Sequence, residues 1–285
     1  MSAFAKRNLK VFFRDRTAVF FSLLAVFIII GLYALFLGDV WVKSLGNLPG
    51  ARYLMDSWII AGLLAVTSIT TTMGAFGTMV EDKVRKISKD FSASPLRRSS
   101  IVGGYTISSF IIGVIMSLVT LALAEVYVVA FGGEFLSLNS FIKVVGLILL
   151  STFTNTSIVL FITSLLKSAS AFATASTIIG TVIGFLTGIY LPVGELPAGV
   201  QWIVKLFPVS HAAVLLRQEI MAKPLAETFA GVPQSIVDDF KDTMGVTFRF
   251  GDGVFAPEGS VIVLLATALL LYALSLFIIS RKKAR

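Results

Sequence analysis

Residues 17–37 read TAVFFSLLAVFIIIGLYALFL, a run that contains no charged side chain. A helix of about 20 such residues crosses the ~30 Å hydrocarbon layer of a bilayer at 1.5 Å per residue. Five more apolar blocks follow, so the full set is Thr17–Leu37, Ser57–Met79, Ile101–Phe131, Phe141–Leu166, Ala171–Leu191 and Gly259–Ser280. The sequence therefore predicts an all-α integral membrane protein with six transmembrane helices.

The composition agrees with this class. Of all residues 56% are hydrophobic and 14% are charged, whereas a soluble domain carries about 25% charged residues. The absence of cysteine excludes disulfides, thiol catalysis and Cys-ligated metals. The first apolar block is longer than the core of a cleavable signal and no small-residue cleavage site follows it, so it predicts a permanent anchor.

The net charge of +8 indicates membrane orientation rather than nucleic-acid binding, because the basic residues lie in short segments between the apolar blocks. One face, made of residues 1–16, 80–100, 167–170 and 281–285, holds 16 of the 24 Lys and Arg. The opposite loops, 38–56, 132–140 and 192–258, hold 7. The basic face is predicted to be cytoplasmic. The chain is therefore expected to lie in the plasma membrane of the cell with both termini in the cytoplasm.

This topology divides the chain into four parts. Residues 1–16 form a cytoplasmic amphipathic helix, and residues 17–191 form spans one to five with the cytoplasmic loop 80–100. Residues 192–258 form a small outer segment between spans five and six, and residues 259–285 form span six with a basic tail.

Two amphipathic helices are predicted on the cytoplasmic face. In Ser2–Arg16 the apolar side carries Phe4, Leu9, Phe12 and Phe13, and the opposite side carries Lys6, Arg7, Lys10 and Arg14. In Val80–Ser94 the apolar residues Val84, Ile87 and Phe91 recur at helical spacing among Glu81, Asp82, Lys83, Arg85, Lys86 and Lys89. Ser94-Pro95 is then predicted to cap and begin the third span.

The outer segment is punctuated by Pro192, Pro197 and Pro208. Val200–Phe207 is too short to span and is predicted to lie at, or dip into, the outer interface. Gln234–Met244 predicts an amphipathic helix with Ile236, Val237, Phe240 and Met244 on one side. Val246–Phe250, followed by Gly251-Asp252-Gly253, predicts a strand and a turn.

Motifs for catalysis are absent from the sequence. There is no G-x-x-x-x-G-K-S/T phosphate-binding loop and no H-E-x-x-H zinc motif. The single histidine, His211, has no carboxylate or serine constellation in the sequence and is interpreted as an interfacial hydrogen-bonding residue. No catalytic residue and no metal site is predicted, so an enzyme is not the favoured class.

Polar residues inside the spans are mostly uncharged. Glu125 lies near the outer end of span three, where it is either a boundary carboxylate that reaches water or a polar contact in a transport path. The amide of Asn155 must face a neighbouring helix or a wet cavity, and interhelical bonding and cavity lining fit it equally well. The candidate translocation residues are Thr67, Thr71, Glu125, Thr154 and Asn155.

Small residues form a stripe on the fifth span. Ser176, Gly180, Gly184 and Gly188 recur at four-residue spacing, which is typical of a close helix–helix contact. The partner helix would be either internal or in a second subunit.

The order of these features resembles the membrane permease of type-2 ABC exporters, the group of bacterial drug-efflux and polysaccharide or lipid-export permeases. The residues that carry the resemblance are the basic N-terminal helix, Glu81-Asp82-Lys83, Ser94-Pro95-Leu96-Arg97-Arg98, and then Leu196-Pro197, Phe207-Pro208 and Arg217. The resemblance implies a dimer of six-span units, homo- or heteromeric, on separate ATPase subunits that bind ATP and Mg.

The resemblance also implies roles for residues. The N-terminal helix and the loop after span two would face the ATPase, through Lys6, Arg7, Lys10, Arg14, Glu81, Asp82, Lys83, Arg85, Lys86, Ile87 and Phe91. Spans one and five would face the second permease, where Gly180, Gly184 and Gly188 lie. Membrane lipid is the other expected partner, and nucleic acid is not.

The leading hypothesis is an ATP-driven exporter permease that moves an amphipathic cargo, such as a drug, a lipid or a peptide antibiotic. An ion-coupled carrier is less favoured because few titratable residues lie inside the spans. Two further hypotheses are an intramembrane enzyme and a membrane sensor or immunity protein. The outer segment 192–258 is longer than in compact drug exporters, which leaves the cargo open.

Overall fold

The structure is a computed structural model that describes residues 2–46, 48–87, 91, 98–166, 168–251 and 253–281. Within these ranges the chain is helical almost throughout. The predicted cap at Ser94-Pro95 and the basic residues Lys89 and Arg97 lie outside the described residues.

Six helices are long and apolar enough to cross a membrane, which confirms the six-span all-α prediction. The first helix, α1, covers Ser2–Arg14 and is followed by span one, α2, over Arg16–Ser44. Spans two to six are α3 (Ala51–Val84), α4 (Arg98–Ala130), α5 (Leu138–Leu165), α6 (Ala169–Leu186) and α11 (Pro257–Arg281). Side-chain caps fix three of the starts, because Asp15, Ser137 and Ser168 each accept a hydrogen bond from a backbone N–H of the first turn.

The segment between spans five and six contains four short helices and one small hairpin. The helices are α7 (Ala198–Leu206), α8 (Pro208–Ile220), α9 (Ala222–Thr228) and α10 (Gln234–Thr243), and a 3₁₀ turn at Val193–Glu195 precedes them. Strands β1 (Arg249–Phe250) and β2 (Gly253–Val254) pair antiparallel. The predicted strand is therefore present but shorter, and in the predicted amphipathic helix Val237 and Met244 are buried whereas Ile236 is exposed.

Helices α7 and α8 meet at an angle of 86°. Phe207 has an extended backbone, and Pro208 occupies the first turn of α8, where its missing N–H costs no helical hydrogen bond. Helix α8 is buried against α3, α5 and α11. Residues 208–220 of the predicted outer segment are therefore packed into the bundle.

The core surrounds span two. Almost the whole of α3 is buried, and α4, α5 and α8 pack around it. Spans one, five and six lie at the periphery, where Phe21, Ile178 and Leu270 are exposed. Apolar side chains exposed on such helices are suited to lipid or to a second transmembrane subunit.

The structure corrects the start of the predicted cytoplasmic helix Val80–Ser94, whose residues 88–90 and 92–94 lie outside the described residues. Span two continues to Val84, so Glu81, Asp82 and Lys83 form its last turn rather than a new helix. A turn at Arg85 and Lys86 follows, with Lys86 at a φ of +61°. The extension is stabilised because Asp82, although charged, is buried among polar partners.

Candidate functional site

Two clusters of the same three residue types lie at opposite ends of span two. The first, here called the basic-end clamp, consists of Arg7, Asp82 and Tyr105. The second, the outer clamp, consists of Arg52, Asp56 and Tyr127. Each joins a buried aspartate of span two to a tyrosine of span three.

In the basic-end clamp, Arg7 of α1 binds both oxygens of Asp82. Its Nη1 lies 2.5 Å from Oδ2, and its Nη2 lies 2.9 Å from Oδ1. The hydroxyl of Tyr105 donates to the same Oδ2 at 2.5 Å. Since paired, charge-assisted hydrogen bonds are among the strongest in proteins, this contact fixes α1 to spans two and three. The hydrogen bond to Asp82 raises the pKa of Arg7, so the guanidinium stays charged.

Packing on both sides of the ion pair seats α1. Phe4 stands edge-on to Phe91 at 4.9 Å and to Tyr105 at 5.0 Å between ring centroids. A side chain at Gly104 would collide with the ring of Phe4, so that glycine permits the approach. Asn8 is buried and donates to the hydroxyl of Ser108 at 3.3 Å.

The residues predicted to face an ATPase fall into two groups. Arg7, Asp82 and Phe91 come together in or beside the basic-end clamp, and Ile87 is partly buried. The others are exposed, and they are Lys6, Lys10, Arg14, Glu81, Lys83, Arg85 and Lys86. Phe13, predicted on the apolar side of α1, is also exposed, because it lies about 100° around the helix from the buried Phe12.

The structure adds residues that the sequence did not single out. Tyr105 carries no sequence pattern that marks it. Asn8 stands four residues from both Phe4 and Phe12, so a polar residue on the apolar stripe of α1 was the available signal.

In the outer clamp, Asp56 is 1% exposed and has two partners. The Nε of Arg52 lies 2.9 Å from its Oδ2, and the hydroxyl of Tyr127 donates to its Oδ1 at 3.0 Å. Arg52 also donates from Nη2 to the Tyr127 hydroxyl at 2.9 Å. No sequence pattern selects these three residues, because Arg52 and Asp56 precede the apolar block of span two.

Arg52 extends this cluster to span one. Its Nη1 lies 2.9 Å from Oδ1 of Asp39, and its Nη2 donates to the carbonyl of Tyr33 at 3.4 Å. Tyr33–Leu37 form a π-helical turn, a local widening of the helix in which the carbonyl of Tyr33 also accepts from the backbone N–H of Gly38. Gly38 leaves the space that the guanidinium fills, since an added Cβ would lie 2.5 Å from Cζ of Arg52.

Between the clamps, span two is joined to span four by uncharged polar groups. Asn155 donates from Nδ2 to the hydroxyl of Ser68 at 2.6 Å, and Ser68 and Ser151 share a hydrogen bond of 3.0 Å. All three are buried. Of the two interpretations left open for Asn155, the structure therefore favours interhelical bonding over cavity lining.

The other candidate translocation residues are similarly engaged. Thr67 and Thr71 are both buried, and the hydroxyl of Thr71 donates to the backbone carbonyl of Thr67 at 2.7 Å. Thr154 donates to the carbonyl of Leu264 in span six at 3.1 Å. Glu125 accepts from the backbone N–H of Leu136 at 2.9 Å, so it orders the loop after span three as a boundary carboxylate would.

Among the described residues, the glycines of the stripe on span five make no contact with another span that their small size would explain. An added Cβ on Gly180 would have no neighbour within 4 Å, and Gly184 is covered by Tyr190 of the following turn. Gly188 lies beyond the end of the helix with a φ of +68°, a conformation that favours glycine. Gly188 therefore serves a turn, and of the three glycines only Gly180 stays open for a partner outside the chain.

Arg217 and His211 stabilise α8 from within. Arg217 is buried. Its Nη2 donates to the backbone carbonyl of Thr187 at 2.8 Å and its Nη1 to the backbone carbonyl of Gly245 at 3.3 Å. Its Cζ lies 5.0 Å from the centroid of the Trp58 ring. Both carbonyls stand at helix C-termini, where a cation is favoured.

His211 lies 2.9 Å from the carbonyl of Lys205 through Nε2 and 3.0 Å from the hydroxyl of Ser260 through Nδ1. Because a carbonyl only accepts, Nε2 carries the proton. This agrees with its interpretation as a hydrogen-bonding residue.

An apolar groove of about 240 Å³ opens beside the outer clamp. It lies between spans one and two and the turn after span five, and its lining residues are Ile29, Leu32, Tyr33, Leu37, Val40, Trp41, Ile59, Ile189 and Tyr190. Within the part of the chain that the structure describes, no three His, Asp or Glu residues are arranged to hold a metal ion.

Comparison with known proteins gives one family match. A family model described as ABC-2 family transporter protein matches residues 48–277, which begin just before α3 and end within the last span. No curated protein matches the chain.

Proposed function

Since the chain belongs to the ABC-2 family of transporter proteins, and so is a membrane permease component of an ABC transporter, we propose that it exports an amphipathic cargo with energy from a separate ATPase subunit. The observation that supports this best is the basic-end clamp. It connects α1, which lies beside the membrane spans, to span two, the most deeply buried of the described spans, and to span three. An ATPase that pushed on this end would therefore move spans two and three directly.

The two clamps together make spans two and three one mechanical unit. Asp56 and Asp82 are 26 residues apart in one helix, which corresponds to ~39 Å at 1.5 Å per residue. Between them the two helices pack along their length, and the network of Ser68, Ser151 and Asn155 adds span four. Displacement of the basic end is thus transmitted to the opposite end without bending.

In this mechanism the end of span two is the contact for the ATPase. Its exposed charged residues there are Glu81, Lys83, Arg85 and Lys86, whereas Asp82 is buried in the basic-end clamp. ATP and Mg would bind the ATPase, and closure of two ATPase subunits would move two permease units together. The basic end is accordingly proposed to be cytoplasmic, with both termini inside.

The cargo is proposed to be a drug, a lipid or a peptide antibiotic. The groove beside the outer clamp offers aliphatic and aromatic side chains, among them Trp41 and Tyr190, and no charged group. Such a surface suits the apolar part of an amphipathic molecule. The groove borders spans one and five, where a second permease unit would add its own surface.

The buried carboxylates do not favour ion coupling. Asp56 and Asp82 are each held by an arginine and a tyrosine, and Glu125 is held by a backbone N–H. A proton carrier needs a carboxylate that can exchange its partner.

The test is transport by the reconstituted complex. The permease would be co-expressed with the P-loop ATPase that co-purifies with it from its native membrane, and the complex would be purified and placed in vesicles with a fluorescent amphiphile. We expect transport that needs ATP and stops when the ATPase carries an inactive hydrolysis site. Transport that continues with the inactive ATPase, and that a protonophore abolishes, would overturn the proposal in favour of a secondary carrier.

A further inference from the structure

Besides Arg7, which is bound to Asp82 in the basic-end clamp, α1 carries three more basic side chains. Lys6, Lys10 and Arg14 recur at four-residue spacing on one exposed stripe of the helix. Within the described ranges none of the three lies in an ion pair, whereas Arg7 on the same helix is bound to Asp82. Unpaired cations grouped in this way attract an anion from outside the chain.

The stripe borders a shallow groove of about 360 Å³. Its lining residues are Ala3, Val11, Lys6, Arg7, Lys10 and Arg14. The groove therefore combines apolar contact with positive charge, which suits an anionic molecule that also has an apolar part.

The contacts of α1 define its depth relative to the spans. Phe4 packs on Gly104 and Asn8 bonds to Ser108, which stand 6 and 10 residues after Arg98, where the described part of span three begins. At 1.5 Å per residue these points are ~9 and ~15 Å along that helix. Helix α1 thus lies beside the first turns of span three rather than beyond its end, and its free face meets the headgroup layer of a bilayer.

Apolar side chains continue from this face into span one. Val11 and Phe13 are 40% and 38% exposed, and Phe20 and Phe21, within two turns of Arg14, are more exposed still. A soluble ATPase would not contact apolar side chains that continue into a membrane span. A phospholipid, in contrast, needs a cationic site for its phosphate and an apolar surface for its acyl chains.

We infer that the exposed face of α1 is a binding site for an anionic phospholipid of the inner leaflet, with Lys6, Lys10 and Arg14 on its phosphate and Val11, which lines the same groove, beside its glycerol and acyl region. This assigns those three cations to lipid rather than to an ATPase, and it does not rest on the proposed export function. Each cation near an anionic surface contributes about 1 kcal/mol, or about a fivefold gain in binding, so loss of all three is expected to weaken binding on the order of 100-fold.

The experiment compares the permease alone in nanodiscs of pure phosphatidylcholine and of an equal mixture of phosphatidylcholine and phosphatidylglycerol. Native mass spectrometry counts the lipid that stays bound after release from the disc. We expect the original protein to retain phosphatidylglycerol selectively, and the triple variant K6Q/K10Q/R14Q to lose that selectivity. The matched control K43Q/K143Q/K223Q removes the same charge from the opposite end and should retain it.

Each other outcome counts against the site. Equal retention of phosphatidylglycerol by the triple variant would overturn it. Displacement of the lipid by millimolar inorganic phosphate would show a phosphate site without a lipid preference. If the triple variant no longer co-purified with the ATPase but retained lipid as before, Lys6, Lys10 and Arg14 would be assigned to ATPase binding instead. Because the lipid measurement uses no ATPase, its failure leaves the export proposal standing.

Discussion

The two clamps at the ends of span two use the same side chains in different ways. In the basic-end clamp the arginine comes from α1, which is 75 residues away in sequence from Asp82, and its side chain is 34% exposed. In the outer clamp the arginine is on span two itself, four residues before Asp56. The first clamp therefore fastens a separate helix to the bundle, and the second organises the end of a helix that is already there.

The difference extends to what each arginine reaches next. Beyond Asp82 and Tyr105, Arg7 donates to Asn8 and faces the ring of Phe91. Arg52 continues to the exposed Asp39 and to the carbonyl of Tyr33, and so includes span one. Removal of one partner is thus expected to disconnect the basic end, but only to loosen the outer end.

The largest effect is expected for Asp82→Ala. It leaves the guanidinium of Arg7 and the hydroxyl of Tyr105 without their carboxylate, and loss of one partner of a largely buried pair costs about 3 kcal/mol. We expect α1 to detach and transport to fall at least about tenfold. Spin labels on Lys10→Cys and Ile107→Cys would report the distance between α1 and span three, with no background because the chain has no cysteine. An unchanged distance and an unchanged unfolding free energy would contradict the role of the clamp.

A smaller effect is expected for Asp56→Ala, although Asp56 is more deeply buried than Asp82. Arg52 keeps Asp39 and Tyr127, so fewer groups lose their partners, and the cost is about 2 kcal/mol. The distance between α1 and span three should not change. Labels on Val40→Cys and Val126→Cys, both at exposed positions, should instead show a broader distance between spans one and three. If this variant detached α1 as Asp82→Ala does, the two clamps would not be independent.

Gly38→Ala tests how far the outer clamp depends on span one. The new methyl group must displace the end of Arg52, which weakens the bonds to Asp39 and Tyr33 and costs about 1 kcal/mol. Gly31→Ala is the matched control, because nothing lies within 4 Å of its added methyl group in the same helix. Alanine is favoured over glycine in a helix, so the control should be neutral or slightly stabilising. Equal thermal stability of the two variants would show that the space at Gly38 is not needed by Arg52.

The smallest effect is expected for Asp39→Asn. Asp39 is 70% exposed, and exposed ion pairs contribute about 0–1 kcal/mol, less at high salt. Glu81→Gln, which breaks the exposed pair with Arg85 at the other end, should be equally mild. Thermal unfolding at low and high salt measures both. A loss of more than about 2 kcal/mol of unfolding free energy for Asp39→Asn alone would exceed the range of an exposed ion pair. It would show that span one contributes to the outer clamp as much as spans two and three do.

The spans were predictable, but the clamps were not. Apolar block length predicted all six spans, because crossing a bilayer requires about 20 residues whatever the neighbours are. Helix ends were less predictable, since Arg52, Asp56 and Asp82 are polar residues that a hydropathy pattern assigns to loops. They belong to the helix because partners on α1, α2 and α4 satisfy them. Asp82 was selected for its place in a charged segment, whereas Tyr105, Tyr127 and Arg52 had no local signal.

The same reason explains two findings that no local pattern predicted. Helix α8 is buried although it contains His211, Arg217 and Gln218, because carbonyl groups of other segments accept their hydrogen bonds. Gly180, Gly184 and Gly188 share a spacing but not a role, because the helix ends at Leu186 and the last glycine forms a turn.

The order of amino acids is enough to place this protein in a membrane, to give it six crossings and to collect its basic residues at one end. Those properties depend on the transfer of side chains from water to lipid, which is a sum over residues and needs no partner. The packed helices were needed to learn which charged residues are buried, which glycine permits a contact and which cations of α1 are left free. Those properties depend on pairs of groups that are far apart in sequence, and a pair becomes visible only when the helices that carry it are packed together.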